Sequence, residues 1–292
     1  MSAVEQAPAA ALASRHCRNC AAPLTGRYCA GCGQAADVHV PSTRELIGEA
    51  IEGITHSDSR LWRTLLLLWF KPGKLTQEFI AGRRTAYLPP FRLYLVLSVI
   101  FFLVESVSTT GSRVVIFDPA NGEVPGQSVC TDFHAALFGR DWGPRLEHAC
   151  TQAGRDGGAN LWRVALANMP KAMFILVPLV AFLHMLMYWR PRHRYVEHLL
   201  FFVHVHAFFF SAMTVVALAA DAGEALPAAG RILAWVPLLL WTLPLYTVLA
   251  MRRVFKLGWT ATLVKACALF VVYLVVLGLT VGGVFFYAAL QL

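Results

Sequence analysis

Long apolar stretches alternate with short basic ones over the last two thirds of the chain, the rhythm of a polypeptide that crosses a bilayer repeatedly. Five stretches stand out: about Pro90 to Ser108, Met169 to Trp189, Glu197 to Ala219, Ile232 to Met251 and Leu263 to Ala289. Each approaches the roughly 20 residues that a helix needs to span the hydrocarbon core. The polar positions between them set a direction. Arg190, Arg192 and Arg194 separate the second and third stretches, and Arg252, Arg253, Lys256 and Lys265 separate the fourth and fifth. The third-to-fourth connection sets Asp221 and Glu224 against Arg231 alone. Basic residues collect on cytoplasmic loops, so the pattern predicts a cytoplasmic N-terminus and a periplasmic C-terminus.

Upstream, residues 42–87 change period. Leu46, Ile47, Ala50, Ile51 and Ile54 recur at helical spacing, with Glu45, Glu49 and Glu52 elsewhere on the wheel. A second helix, capped by Ser57 or Asp58, runs through Leu61 to Phe70, and Lys71-Pro72-Gly73 stops it. A third covers Leu75 to Ala81. The run Leu65 to Phe70 is too short to cross a bilayer, and its flanking Arg60, Arg63, Lys71, Lys74, Arg83 and Arg84 suit helices lying in the inner-leaflet interface. A small soluble subdomain under the bundle is the alternative, and a re-entrant run would change the span count. Arg83, Arg84 and Arg92 are the candidate lipid-contacting residues. The first external loop, 109–168, carries Cys130 and Cys150, which an oxidising compartment favours as a disulfide.

The most specific chemistry lies near the start. Cys17-Arg-Asn-Cys20 and Cys29-Ala-Gly-Cys32 form C-x2-C-x8-C-x2-C, the ligand set of a four-thiolate zinc ribbon over residues 17–36. The eight-residue gap is short for rubredoxin-like iron, and no βαβ pattern surrounds either pair to support a redox dithiol. Zinc is therefore the expected cofactor. With all four positions filled by protein, its role is structural. Gly33 follows the second pair, where a positive φ is useful, whereas the first pair has Ala21 there. The Ala-rich segment 1–16 reads as a disordered leader without a secretory n-region or h-region, which leaves the ribbon in the cytoplasm.

The composition agrees with a membrane protein. Mean hydropathy is +0.56, and 14% of the 292 residues are charged, against about a quarter in soluble domains. The net charge of +8 reads first as topology and contact with anionic lipid. The basic residues form no aromatic-interleaved stripe, so nucleic-acid binding is not expected. No phosphate-binding loop, dinucleotide fingerprint or nucleophile elbow occurs.

The third stretch opens with Glu197, His198, His204 and His206, and His184 lies near the end of the second. Ionisable groups in hydrocarbon are costly, which makes these five a candidate polar site. At about 100° per residue, Glu197 and His204 share a face, while His204 and His206 point to nearly opposite sides. One helix cannot gather all three of its histidines around an ion. A tight hairpin would let His184, Glu197 and His204 approach one another. The competing reading is neutral histidines hydrogen-bonding across the bundle. In the last stretch, Gly278-x-x-x-Gly282 predicts close helix contact, and Cys267 reads as a small buried apolar residue.

Gly26 to Gln34, then Pro72-Gly73, Glu78-Phe79-Ile80-Ala81-Gly82-Arg83-Arg84, Tyr87 and Pro90-Phe91-Arg92-Leu93-Tyr94, together with the run from Tyr195 to Phe208, resemble a bacterial family of zinc-ribbon membrane proteins of unknown function. The resemblance implies a multi-pass inner-membrane protein with a cytoplasmic ribbon, and it brings no activity. The expected fold is thus an all-α membrane protein with a four-Cys ribbon, interfacial helices and about five transmembrane helices over residues 88–292. Three functions follow from these features. The first is a docking, scaffolding or regulatory module holding a protein partner through its ribbon. The second is a small transporter or channel acting as a homo-oligomer. The third is a metal or redox enzyme using the histidines.

Overall fold

The computed structural model of the protein describes residues 16–36, 60–108, 136–137, 140–188, 193–225 and 236–292. The leader up to residue 15, the predicted helix around Leu46 to Ile54, the Ser57 or Asp58 cap, Cys130 and most of the first external loop lie outside the described residues.

The two cysteine pairs form a compact ribbon with two isolated β-bridges, His16 to Pro23 and Tyr28 to Ala35. Helices α1 (Arg60–Phe70) and α2 (Lys74–Ile80) make a hairpin, and α3 (Pro90–Val107) starts on a proline, tolerated where its missing N–H has no helical partner. Strands β1 (Ala136–Leu137) and β2 (Arg140–Asp141) pair antiparallel ahead of α4 (Gly143–Asp156). Then come α5 (Ala159–Leu186), α6 (Tyr195–Ala225), a 3-10 segment (Val236–Trp241), α7 (Thr242–Phe255) and α8 (Trp259–Ala289). The fold is all-α in its body, and α3, α5, α6 and α8 are long and apolar enough to cross a membrane.

Two elements differ from the sequence expectation. Helix α5 starts ten residues before Met169, inside the expected external loop. Asp156 explains the early start: its carboxylate accepts the N–H groups of Gly158 (2.9 Å) and Asn160 (3.1 Å) across a turn in which Gly157 and Gly158 both have positive φ. The polar Asn160, Arg163, Asn168 and Lys171 hid this extension. The fourth expected span is the 3-10 segment joined to α7 rather than one α-helix. Pro244 offers no N–H to the carbonyl four residues back and its ring clashes there, so the α-helical ladder does not extend behind Thr242. Together the two pieces measure about 33 Å.

Side-chain contacts fix the directions. Phe210 packs on Tyr94, Phe101 and Phe102, and Ser108 donates to Asp221 (2.8 Å), so α3 and α6 run parallel. Lys265 at the start of α8 donates to the Met187 carbonyl at the end of α5, and Trp162 meets Phe285 near their other ends. Thus α5 runs against α8. His184 of α5 meets His198 of α6, so α5 also runs against α6. With α6 and α8 parallel, the chain between them must return through the bundle. The 3-10 segment and α7 make that return, giving five passages.

Helix α6 is the axis of the assembly, buried along most of its length. The α3–α6 register leaves about two turns of α6 projecting beyond the start of α3. The end of α5, the end of α7 and the α1–α2 hairpin pack around this projection. In α2, Thr76 reaches His204 (3.0 Å) and Phe79 packs with Leu200, so α2 runs against α6. Tyr246 of α7 stacks on Phe208 at 3.8 Å and donates to the Leu68 carbonyl (2.9 Å). The other face of α1 is bare: Trp62, Leu66 and Phe70, one helical stripe, are 72%, 56% and 74% exposed, as suits a helix facing lipid.

Two small-residue expectations are corrected. Gly278 and Gly282 face open space, with nothing within 4 Å of an added Cβ, so they make no close helix contact among the described residues. Cys267 is exposed rather than buried. Both lie on the outer face of α8, which the other described residues leave uncovered. Gly73 behaves in the opposite way. Its φ is +73, and an added Cβ would sit 2.8 Å from the Ala250 carbonyl oxygen, so backbone touches backbone where the hairpin turn meets α7. Gly73→Ala should therefore cost about 2 kcal/mol or more and lower the unfolding temperature of the detergent-solubilised protein by several degrees. Gly278→Ala should leave that temperature unchanged in the same assay.

Candidate metal centre and buried histidines

The ribbon is two copies of one turn. In the first, Ala21 N–H donates to the Cys17 carbonyl (2.9 Å) and Cys17 N–H to the Ala22 carbonyl (2.8 Å). In the second, Gly33 N–H donates to Cys29 and Cys29 N–H to Gln34, both at 2.8 Å. Each turn needs a left-handed residue after its second cysteine. Gly33 takes φ 73 at little cost, and Ala21 takes φ 61 against its own Cβ. The close match in geometry shows that the turn dictates the backbone and the residue follows.

These turns bring Cys17, Cys20, Cys29 and Cys32 together with all four sulfurs within 4.8 Å of one another. The Cys17–Cys32 and Cys20–Cys29 sulfurs lie 3.6 and 3.5 Å apart. A tetrahedral ion with bonds of about 2.3 Å would place its sulfurs about 3.8 Å apart, so the set fits a metal with little adjustment. The Gln34 backbone N–H favours the Cys32 thiolate and pulls that thiol down to about 6. Cys17 and Cys29 are buried and Cys20 is exposed. Four protein ligands leave no coordination position for a substrate.

Among the described residues Gln34 makes the main fastening of the ribbon to the membrane body, and the Thr85 hydroxyl adds a 4.0 Å contact to the Cys32 sulfur. Gln34 is only 3% exposed. Its Nε2 donates to the Gly82 carbonyl (2.8 Å), and its Oε1 accepts the Arg84 backbone N–H and the Thr85 hydroxyl, both at 3.3 Å. The loop it grips is rigid in its own right. Arg83 hydrogen-bonds Glu78, Lys74 pairs with Glu78 at 2.7 Å, and the Arg84 guanidinium covers the Phe79 ring at 4.9 Å. The Arg83 hydrogen bond, opposed by burial and aided by Lys74, holds the Glu78 carboxyl at about 2. Arg83 and Arg84, expected at the lipid interface, thus build the socket for the ribbon, while Arg92 is half-buried in the first turn of α3.

The five residues of the candidate polar site separate into three groups. His184 and His198 join Nδ1 to Nδ1 at 2.9 Å, ringed by Tyr188, Phe201, Phe202 and Phe255. Glu197 turns to His193 (2.8 Å) instead of to His184 or His204. His204 takes Thr76, and His206 donates from Nδ1 to the Phe202 carbonyl (2.8 Å) and accepts from Tyr273 (3.2 Å) at Nε2. Among the described residues, the four cysteines are the one cluster of three or more ligands close enough for a metal. The His184–His198 contact requires one Nδ1 to donate and the other to accept, so the pair holds opposite tautomers. The Nε2 atoms of His184, His193, His198 and His204 are buried without a partner among the described residues. Cys150 on α4 is disulfide-bonded, and Cys130 lies outside the described residues.

Thr76, His193 and Phe255 were not singled out from the sequence, and Gln34 and Glu78 entered only as part of the family resemblance, with no role assigned. His193 carried a signal, standing four residues before Glu197.

Residues 58–102 match the model of a family described as a protein of unknown function, DUF3667. That match spans α1, α2, the gripped loop and most of α3. No curated protein matches the chain, and no solved structure does.

Gln34→Ala strips the Gly82 carbonyl and Arg84 N–H of partners and should cost about 1–3 kcal/mol. Hydrogen exchange at residues 81–85 should quicken while the metal stays bound. Arg83 holds the Glu78 carboxyl below its ordinary value of 4.5, so its contribution is complete above that pH and lost as pH falls toward 2. Acid unfolding of Glu78→Gln should lose this part of the wild-type pH dependence, measured as the difference between the two unfolding curves.

Proposed function

We propose that the protein is a bacterial inner-membrane docking or scaffolding module whose cytoplasmic zinc ribbon holds a protein partner. The observation that carries this reading is a closed four-thiolate site bolted by Gln34 to the loop that leads into the first span. Such a site spends all its ligands on shape, and the bolt makes the ribbon a rigid extension of the bundle. The ribbon exposes an aromatic side chain, Tyr28, which is 67% exposed. An exposed aromatic on a fixed small domain suits recognition. Thiolates with no redox partner favour zinc over a redox metal.

Sidedness rests on charge. Arg83, Arg252, Arg253, Lys256 and Lys265 belong to the ribbon end of the bundle, and the far end of α6 carries Asp221 and Glu224, which supports a cytoplasmic ribbon. The histidines support an enzymatic reading less well. All four of the candidate site's histidines are spent on hydrogen bonds that fasten helices, and among the described residues no three of them meet closely enough to share an ion.

Purified protein should carry about one zinc per chain, lost in the Cys17→Ser/Cys20→Ser double variant. Deleting residues 16–36 should abolish co-purification of the partner while the helices stay inserted. A deletion chain that keeps every partner, or a second metal removed by His204→Ala, would sink the docking reading.

A further inference from the structure

Two clefts open side by side at the ribbon end of α7. One, about 480 Å³, is lined by Lys74, Arg83, His193 and Glu197 among others. Its own charges are matched, because Lys74 and Arg83 pair with Glu78 and His193 pairs with Glu197, and the remaining cation, Lys256, stands on the wall that both clefts share. The other, about 420 Å³, is lined by Pro72, Leu249, Arg252, Arg253, Lys256 and Leu257. It holds three cations and no acid.

Each cation is placed differently. The Arg252 guanidinium lies on the Trp259 ring at 4.1 Å, which leaves its in-plane N–H donors available. Arg253 spends one Nη on the Pro72 carbonyl (2.6 Å), which aims the rest of the fork. Lys256 closes α7 in a left-handed conformation, φ 53, and has no ion pair or side-chain hydrogen bond among the described residues. Three donors of this kind around one cleft suit a phosphate group.

The walls indicate which phosphate. Down the outer face of α7, Trp241, Leu245 and Leu249 repeat every four residues and lead to Arg252. Trp241 is 80% exposed and Leu245 59%. On the other side the bare stripe of α1, Trp62, Leu66 and Phe70, ends one residue before Lys71 and Pro72. The cleft thus sits at the foot of two apolar tracks that face the bilayer. A free phosphate has no use for such tracks, whereas a lipid needs both parts. We propose that this cleft binds the phosphate headgroup of an anionic phospholipid, with an acyl chain lying along Leu249, Leu245 and Trp241. Basic pockets between spanning helices on the cytoplasmic side are suited to such headgroups.

The test is native mass spectrometry of the full-length protein in neutral detergent with equimolar phosphatidylglycerol and phosphatidylcholine. Wild type should retain phosphatidylglycerol at least about fivefold better, and Lys256→Glu should lower that ratio about fivefold or more. Arg252→Gln/Arg253→Gln should bring it to parity, and Arg163→Glu, near the start of α5 at the far end of the bundle, should leave it unchanged. Lys256 makes no side-chain bond among the described residues, so its variant stays informative if the arginine pair proves unstable. Equal retention of the two lipids by wild type, or an unchanged ratio in Lys256→Glu, would overturn the proposal. Release of phosphatidylglycerol by millimolar inorganic phosphate alone would reassign the cleft to a free anion and overturn the lipid assignment.

Discussion

A helix that is apolar on every side has to be surrounded, and α6 sets that requirement for the whole bundle. It presents Phe201, Phe202, Phe208 and Phe210 around its circumference, all buried. One neighbour could cover only part of such a surface. Helices α3, α5 and α7 and the α1–α2 hairpin each take a sector, and α8 closes on α5 behind it. Because α6 projects past α3, the hairpin and the end of α7 are needed to finish the enclosure. That is why a segment too short to span the bilayer is nonetheless built into the bundle.

The polar side chains on α6 and its neighbours fit the same logic. In hydrocarbon a histidine must find a partner or carry a desolvation cost. His204 binds Thr76 of the hairpin, His206 binds Tyr273 of α8, and His198 binds His184 of α5. Each contact ties α6 to a different element, and each breaks if that element slides by one residue. Apolar packing tolerates such sliding far better than hydrogen bonds do, so the histidines supply register where phenylalanines supply adhesion. On this view the polar positions that first suggest chemistry are also those that make the bundle unique.

The sequence made the ribbon and the greasy helices legible because both depend on short-range spacing. Thiolates two residues apart report themselves, and so do twenty apolar residues in a row. What stayed hidden depends on contacts far apart in the chain. Gln34 meets Gly82 across 48 residues, and Gly73 meets Ala250 across a larger gap; neither residue looks unusual locally. The shared helical face of Glu197 and His204 was sound geometry, yet His193 lay nearer and took the carboxylate. The fourth passage was read at about the right place and in the wrong conformation, because Pro244 acts on the backbone rather than on the apolar pattern. Cys267 and Gly278 read as packing residues because small side chains usually are, and they lie instead on a face that none of the described helices covers.

The unequal lengths of α3 and α8 matter to the surrounding lipid. Helix α3 is 18 residues, about 27 Å, and α8 is 31 residues, about 46 Å. The outer surface of α8 stays apolar from Trp259 to Tyr287. A hydrocarbon layer of about 30 Å cannot match both. The difference is taken up by tilt of the long helix or by thickening of the leaflet beside it, at a modest energy per ångström of mismatch. The molecule is therefore a wedge in the plane of the membrane, short on one flank and tall on the other, and it imposes a gradient of thickness on the lipid around it.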